Sequence, residues 1–170
     1  MSSKKLIVIF PGQNSSASPL IYYAGFKYYQ KGYEELIVNY GGFSEETEIK
    51  QHIKAQFENV DFADYDDILF VSKSMGSIAA GWLDDALNLN ARHIYLTPVA
   101  KTLPYLKRGK NIQIVILGTN DIHMDSEVLK AQCEREGIPY KLIEGANHSL
   151  EIDGDIAANI DILKQIVELY

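Results

Sequence analysis

Short, uninterrupted apolar runs alternate along this chain with longer amphipathic stretches. Six runs rich in Ile, Val and Leu predict β-strands at residues 6–10, 36–40, 68–72, 93–96, 112–117 and 141–143. Most lack alternating polar residues, which is typical of strands buried on both faces. Strands that alternate with helices form parallel sheets covered on both sides. The pattern therefore predicts a doubly wound, three-layer α/β/α fold with about six parallel strands and six helices.

Several of the predicted helices carry recognisable ends. Ser44 is a candidate cap for a helix whose apolar residues recur at helical spacing, namely Ile49, Ile53, Phe57 and Val60. Asp125 or Ser126 can open a later helix that Gly137 closes. The last helix is expected to begin near Asp155. The connection at residues 98–110 has room for one helix and not for a lid domain.

Length, composition and charge narrow the class of protein. The 170 residues contain no linker-like tract, so a single domain over residues 1–170 is expected. The net charge of −7 argues against sequence-independent binding of nucleic acid. No apolar run approaches the roughly twenty residues of a membrane helix, and the first is too short for a secretory signal. Cys133 is the only cysteine and cannot form an internal disulfide, so we expect an unreactive thiol. A single cysteine and no targeting segment lead us to expect a cytoplasmic protein.

Candidate chemistry collects where the predicted strands end. Ligands bind beyond the carboxyl ends of parallel strands, and Ser74, Asp121 and His148 each follow a different strand. The stretch Ser72-Lys73-Ser74-Met75-Gly76 lies at a strand-to-helix turn and matches the nucleophile elbow G-x-S-x-G, with Ser72 replacing the first glycine. A serine, an aspartate and a histidine therefore meet the same predicted sheet edge in that chain order.

On these residues the chain resembles the α/β-hydrolase superfamily, in particular its small, lidless esterases and dienelactone-hydrolase-like members. The resemblance implies a minimal version of that fold that lacks its first two strands. It further implies a serine hydrolase that cleaves a carboxylic ester or thioester of a small acyl substrate, with no cofactor. Ser74 would be the nucleophile, His148 the base and Asp121 its orienting acid. The backbone N–H groups of Gln13 and Met75 would form the oxyanion hole.

Each candidate residue also has a simpler interpretation. Ser74 could cap a helix, Asp121 could serve a turn, and His148 could be a solvated histidine. Asp125 competes with Asp121 for the role of the acid. Lys73 is expected at the surface, with selection of acidic substrates as the alternative. Candidates for lining a pocket are Asn14, Thr97, Pro98 and His123.

Other functions stay open at this stage. A non-catalytic binding protein could keep the same fold, and an acyltransferase or peptidase could use the same three residues. Nucleotide binding would need a phosphate loop at residues 11–16, and these residues match neither of the two common phosphate-loop patterns. The four histidines lack metal-ligand spacing, so no metal is expected. The aromatic segment at residues 22–29 either packs on the sheet or forms a wall beside the site. The sequence does not indicate an oligomeric state.

Overall fold

The computed structural model describes residues 4–13, 18–42 and 45–170. Its strands and helices alternate in the order β1 (Lys5–Phe10), α1 (Pro19–Gln30), β2 (Glu34–Ile37), α2 (Glu46–Gln56), β3 (Asp67–Lys73), α3 (Gly76–Leu87), β4 (Arg92–Leu96), β5 (Ile112–Gly118), α4 (Ser126–Glu136), β6 (Tyr140–Ile143) and α5 (Ile156–Leu169). Two 3₁₀ helices, Phe62–Asp64 and Ala100–Tyr105, lie in the connections before β3 and after β4.

The strands form one sheet, in the order β2-β1-β3-β4-β5-β6, and every neighbouring pair is parallel. The chain moves outward from β1 to β2, then crosses back over β1 to β3 and continues the other way. The direction of winding therefore reverses between β1 and β3, which is where open α/β sheets bind ligands. Ser74 follows β3 at this point. The predicted fold class is confirmed.

The two faces of the sheet carry separate apolar layers. On one face Ile7 and Ile9 of β1 pack with residues of α1 and α5. On the other, Leu6, Val8 and Phe10 pack with residues of α2 and α3. A third cluster lies between β5 and α4. Because successive residues of β1 face opposite layers and both layers are apolar, the strand is apolar from Leu6 to Phe10.

The element bounds depart from the predictions in places that have physical reasons. β2 begins two residues before the predicted strand, at Glu34, because it is the edge strand and its charged side chains face water. The helix expected after β4 is a 3₁₀ helix that contains Pro104, which has no N–H for an α-helical bond. The described residues therefore contain five α-helices rather than six.

The predicted helix ends can be compared one by one. Asp125 caps α4, Gly137 ends it in the left-handed conformation, and Asp155 caps α5, as expected. Ser44 lies outside the described residues, and the N-cap residue of α2 is Glu45, whose side chain makes no capping bond. α2 ends before Val60, which the predicted helix included.

Two further expectations concern surroundings rather than topology. Among the described residues, no helix has both the length and the apolarity that crossing a membrane requires. Cys133 is fully buried in the layer between β5 and α4, and this burial raises the pKa of its thiol to about 11. The nucleophilic thiolate is disfavoured there, which agrees with an unreactive cysteine.

Candidate active site

The turn between β3 and α3 holds Ser74 in an unusual backbone conformation. Its φ is +53°, a region that non-glycine residues rarely occupy. The Ser74 N–H donates to the carbonyl of Leu96 at 3.0 Å, and its own carbonyl accepts from the N–H of Ser77 at 3.0 Å. Such a conformation persists only where the surroundings fix it. Hydrogen bonds on both sides of Ser74 do so here.

A buried pair of hydroxyls braces the same turn from behind. The Ser77 hydroxyl lies 2.5 Å from the Ser74 carbonyl and 2.6 Å from the Thr102 hydroxyl. A carbonyl only accepts, so Ser77 gives its single proton to Ser74 and Thr102 donates to Ser77. Both hydroxyl side chains are fully buried. The 3₁₀ helix after β4, which carries Thr102, therefore supports the turn.

The residues two positions before and after Ser74 are both small, and the structural reason differs between them. A Cβ on Gly76 would lie 2.2 Å from the carbonyl oxygen of Phe10, so only glycine lets α3 start this close to β1. Ser72, which replaces the usual glycine, is buried within the sheet, and its hydroxyl donates to the carbonyl of Ile94 at 3.5 Å. The sheet therefore accommodates the extra side chain without disturbing the turn.

The structure brings the three candidate residues into one hydrogen-bonded chain. His148 Nε2 lies 2.8 Å from Ser74 Oγ, and His148 Nδ1 lies 2.7 Å from Asp121 Oδ2. The Asp121 side chain is fully buried, and its Oδ1 accepts from the backbone N–H of His123 at 2.8 Å. A proton on Nδ1 suits the carboxylate and leaves Nε2 free to accept from the serine hydroxyl.

The rival aspartate lies elsewhere. Asp125 uses its carboxylate to accept from the N–H groups of Glu127 and Val128 at the start of α4. It makes no contact with His148 among the hydrogen bonds of the described chain. Asp121, which directly follows β5, is the carboxylate that reaches the imidazole.

The loop that carries His148 packs directly against the end of β5. A Cβ on Gly118 would lie 2.1 Å from the carbonyl oxygen of Ala146, so the two backbones are in close contact. The N–H of Asn120 donates to the same carbonyl at 2.9 Å. Within the loop, the Asn147 side chain accepts from the N–H of Ser149 at 2.8 Å. These contacts fix the main chain on both sides of the histidine.

Solved structures provide a comparison for this architecture. No protein-family model matches the sequence, and no curated protein matches it. Among solved structures, a serine hydrolase homologue from Coxiella burnetii is 15% identical with a TM-score of 0.72, and the match covers 98% of this chain and 85% of that one. A serine hydrolase without a lid from Xanthomonas campestris and an esterase from Pyrococcus furiosus each reach 14% identity and a TM-score of 0.70, with 99% of this chain and 82% of theirs covered. This chain has the α/β-hydrolase fold.

Within this α/β-hydrolase fold, Lys73 is not where the sequence suggested. The prediction of a surface lysine is wrong, because the residue is only 5% exposed. Its Nζ donates to the Thr97 hydroxyl at 3.2 Å and to the carbonyl of His148 at 3.0 Å. Burial lowers the pKa of Lys73, while the Asp121 and Glu151 carboxylates oppose that shift. The ammonium faces the interior, which removes the idea that it selects acidic substrates.

The sequence held a signal for the burial of Lys73. Residues of a strand alternate between faces, so Lys73 shares the face of Val71, which packs in the layer with α1 and α5. A lysine in register with a buried valine has to find acceptors inside the fold. The chain order did not reveal those acceptors, because Thr97 lies just after β4 and His148 lies on the loop after β6.

The candidate oxyanion donors lie at the same sheet edge as Ser74. Met75 is the N-cap residue of α3, and Gln13 comes three residues after the end of β1. Among the hydrogen bonds of the described residues, neither backbone N–H has an acceptor. N–H groups at the start of a helix also carry the positive end of its dipole. Their role as oxyanion donors stays a prediction.

The candidates for pocket lining divide into three cases. His123 is exposed, and its ring centroid lies 4.4 Å from that of His148 at an interplanar angle of 66°. Thr97 and Pro98 are buried just after β4, and their part in lining a pocket stays a prediction. The N–H of Thr97 donates to the carbonyl of Ile116, and its hydroxyl accepts from Lys73 Nζ. Asn14 lies outside the described residues.

The aromatic helix α1 forms a groove at the edge of the sheet. Tyr28 and Tyr33 are buried against the core, whereas four other aromatic residues of the helix are exposed. With Ile37 of β2 they line a groove of about 580 Å³: Tyr22, Tyr23, Phe26 and Tyr29. None of Ser74, Asp121 and His148 lines it. The segment therefore packs on the sheet through its buried side and exposes its other aromatic rings, as the first interpretation predicts, and none of the three candidate residues lines the groove of the second.

Within the described ranges, no group of three or more His, Cys, Asp or Glu side chains could hold a metal ion. His93, one of the four histidines, is buried near the start of β4, at the end of that strand away from Ser74. Its Nε2 lies 3.5 Å from the carboxylate of Asp84 on α3. His93 is therefore far along the strand from the residues around Ser74.

Proposed function

We propose that this protein is a serine hydrolase that cleaves a carboxylic ester or thioester of a small acyl substrate. The observation that carries the proposal is the continuous contact from Asp121 through His148 to the Ser74 hydroxyl, at 2.7 and 2.8 Å. The solved structures that share the fold include serine hydrolases and esterases, which supports the same class of chemistry.

The reaction uses the three side chains in turn. His148 Nε2 takes the hydroxyl proton as Ser74 Oγ attacks the acyl carbon, which forms a tetrahedral oxyanion. The imidazolium then gives that proton to the leaving oxygen or sulfur, and the acyl group stays on Ser74. Water then attacks the acyl carbon while His148 takes its proton; the acyl–serine bond breaks, the carboxylic acid leaves, and His148 returns the proton to Ser74 Oγ.

The surrounding groups have defined parts in this scheme. Asp121 holds the imidazole by Nδ1 and stabilises its charged form, while the N–H of His123 fixes the other carboxylate oxygen. The N–H groups of Met75 and Gln13 stabilise the oxyanion, and one such donor is typically worth about 10²–10³ in rate. The positive φ of Ser74 presents its hydroxyl at the turn.

A covalent probe tests the proposal directly. A fluorophosphonate should label the wild-type protein on Ser74, whereas Ser74→Ala should take no label and His148→Ala should react far more slowly. Ser126→Ala, at the first residue of α4, is the matched control and should label like wild type. A folded wild-type protein that takes no label would refute the proposal and favour a non-catalytic binding protein with this fold.

A substrate screen then separates the enzymes that share these residues. p-Nitrophenyl esters and acyl thioesters of increasing chain length should be hydrolysed, with Ser74→Ala inactive. If the acyl group is instead transferred to an added alcohol or amine in preference to water, the enzyme is an acyltransferase. Cleavage of peptides with no cleavage of esters would indicate a peptidase.

A further inference from the structure

Lys73 connects the two halves of the candidate site. It is the last residue of β3 and is covalently joined to Ser74, yet its Nζ donates to the main-chain carbonyl of His148 at 3.0 Å. One side chain thus spans from the residue beside the nucleophile to the backbone of the base. No other residue of the described chain makes both connections.

The contact is special because of what else holds His148. Among the hydrogen bonds of the described residues, the one from Lys73 is the only one to the main chain of His148. Neighbouring bonds hold Ala146 against Asn120, or close the loop upon itself between Asn147 and Glu151. The imidazole is therefore fixed by its ring contacts and, through the backbone, by Lys73.

The chemistry of this contact is costly to build. Lys73 is 5% exposed, and its two hydrogen-bond acceptors, a hydroxyl and a carbonyl, are neutral. A buried ammonium without a directly paired carboxylate loses much of its hydration energy. An apolar residue of the same length would fill the space without that loss. The side chain is thus explained by what it holds rather than by the stability that it adds.

We propose that Lys73 is a positioning residue that holds the His148 backbone so that the imidazole stays within reach of Ser74 Oγ. The inference rests on the proposed function, since it assigns Lys73 a part in the same reaction. Lys73 does not touch the reacting atoms. Its effect passes through the His148 carbonyl, and it should therefore change the catalytic rate more than the binding of substrate.

Lys73→Met tests the proposal, because methionine has a similar length and no N–H donor. With p-nitrophenyl acetate, we expect kcat to fall about 10- to 100-fold, since small misplacements of a catalytic group have such effects, while KM stays within about twofold. Amide hydrogen exchange at residues 147–151 should become faster. Lys73→Gln keeps an N–H donor at shorter reach, so its kcat and exchange rates should lie between those of wild type and Lys73→Met. It replaces the methionine variant as the test if that variant does not fold.

Lys27→Met is the matched control. Lys27 also donates to a main-chain carbonyl, that of Val167 at 2.7 Å, in the packing of α1 against α5. The same substitution there should leave kcat unchanged and exchange at residues 147–151 as in wild type. Loss of rate in both variants would point to a general effect of removing a lysine and would overturn the inference.

The outcomes separate this inference from the proposed function. A folded Lys73→Met protein with wild-type kcat, or one that loses rate while exchange at residues 147–151 is unchanged, overturns the positioning role. If the wild-type protein itself neither hydrolyses esters nor takes the fluorophosphonate label, the proposed function fails. The exchange comparison still decides whether Lys73 holds the His148 backbone, because it needs no activity.

Discussion

Gly118→Ala probes how tightly the histidine loop is positioned. Gly118 ends β5, and a Cβ there would lie 2.1 Å from the oxygen and 2.6 Å from the carbon of the Ala146 carbonyl, and 2.7 Å from the Asn147 oxygen. All three are main-chain atoms, which cannot rotate away as a side chain can. To reach the 3.0 Å that real Cβ atoms keep, the backbone of Ala146 has to move by about 0.9 Å.

That displacement is large on the scale of the site. His148 follows two residues after Ala146, and its Nε2 lies 2.8 Å from Ser74 Oγ. A misplacement of about 1 Å can cost about 10²-fold in rate, which is about 2.7 kcal/mol on the barrier. Overpacking of this kind also lowers the free energy of unfolding by about 1–3 kcal/mol. We expect kcat to fall about 100-fold and KM to change little.

The assay compares Gly118→Ala with Gly42→Ala. Apart from its chain neighbours, no atom of the described residues would lie within 4 Å of a Cβ on Gly42, so this control should keep wild-type activity and stability. Rates of fluorophosphonate labelling and of p-nitrophenyl ester hydrolysis are measured well below the melting temperature, and circular dichroism confirms folding. A folded Gly118→Ala protein with wild-type kcat would refute the claim that the close approach sets the position of the base.

Three further predictions address other parts of the site. Gly76→Ala should lower the free energy of unfolding by about 1–3 kcal/mol and slow labelling, since its Cβ would meet the Phe10 carbonyl oxygen at 2.2 Å; an unchanged urea midpoint would contradict this. Asp121→Asn should lower kcat about 10³- to 10⁴-fold in ester hydrolysis, because the amide can donate to Nδ1 and favour the wrong tautomer; a loss under tenfold would contradict that role for Asp121. Burial lowers the pKa of Lys73, so the unfolded chain binds more protons between that value and the ordinary lysine pKa of about 10.4, and folding gains stability as pH rises through this window. In urea titrations, wild type should therefore gain on Lys73→Met as pH rises toward 10, and a constant difference would exclude the shift.

Much of the fold follows from the sequence because burial on both faces leaves a plain signature. The middle of β1, β3 and β5 is an apolar run without alternation, and the structure places each run within the sheet, covered on both sides. β2 begins earlier than predicted because an edge strand tolerates the charged Glu34 and Glu35. In the sequence these two residues resemble loop residues. The segment after β4 forms a 3₁₀ helix because Pro104 interrupts α-helical bonding. The spacing of its apolar residues alone does not distinguish a 3₁₀ helix from an α-helix.

Some residues of the site could be placed together from the sequence, and others could not. Ser74, Asp121 and His148 could be brought together from sequence because the carboxyl ends of parallel strands share one edge. Lys73, Thr97 and the pair Ser77–Thr102 could not, because their contacts join strand ends to loops whose paths are set by packing. A charged residue before a nucleophile reads as exposed, and only the alternation of β3 indicates otherwise.

The two halves of this site are held by different kinds of bond, and this separates the effects of mutation. Ser74 is bracketed by main-chain bonds to Leu96 and Ser77 and by the buried Ser77 hydroxyl, which tie the turn to the end of β4 and the start of α3. His148 sits on a loop, and its main chain is joined to the sheet through Lys73. Changes around the serine should therefore lower the free energy of unfolding together with the rate. Loss of the Lys73 contact should lower the rate first, because the loop can shift while the sheet stays intact, whereas Gly118→Ala strains the end of β5 itself and lowers both.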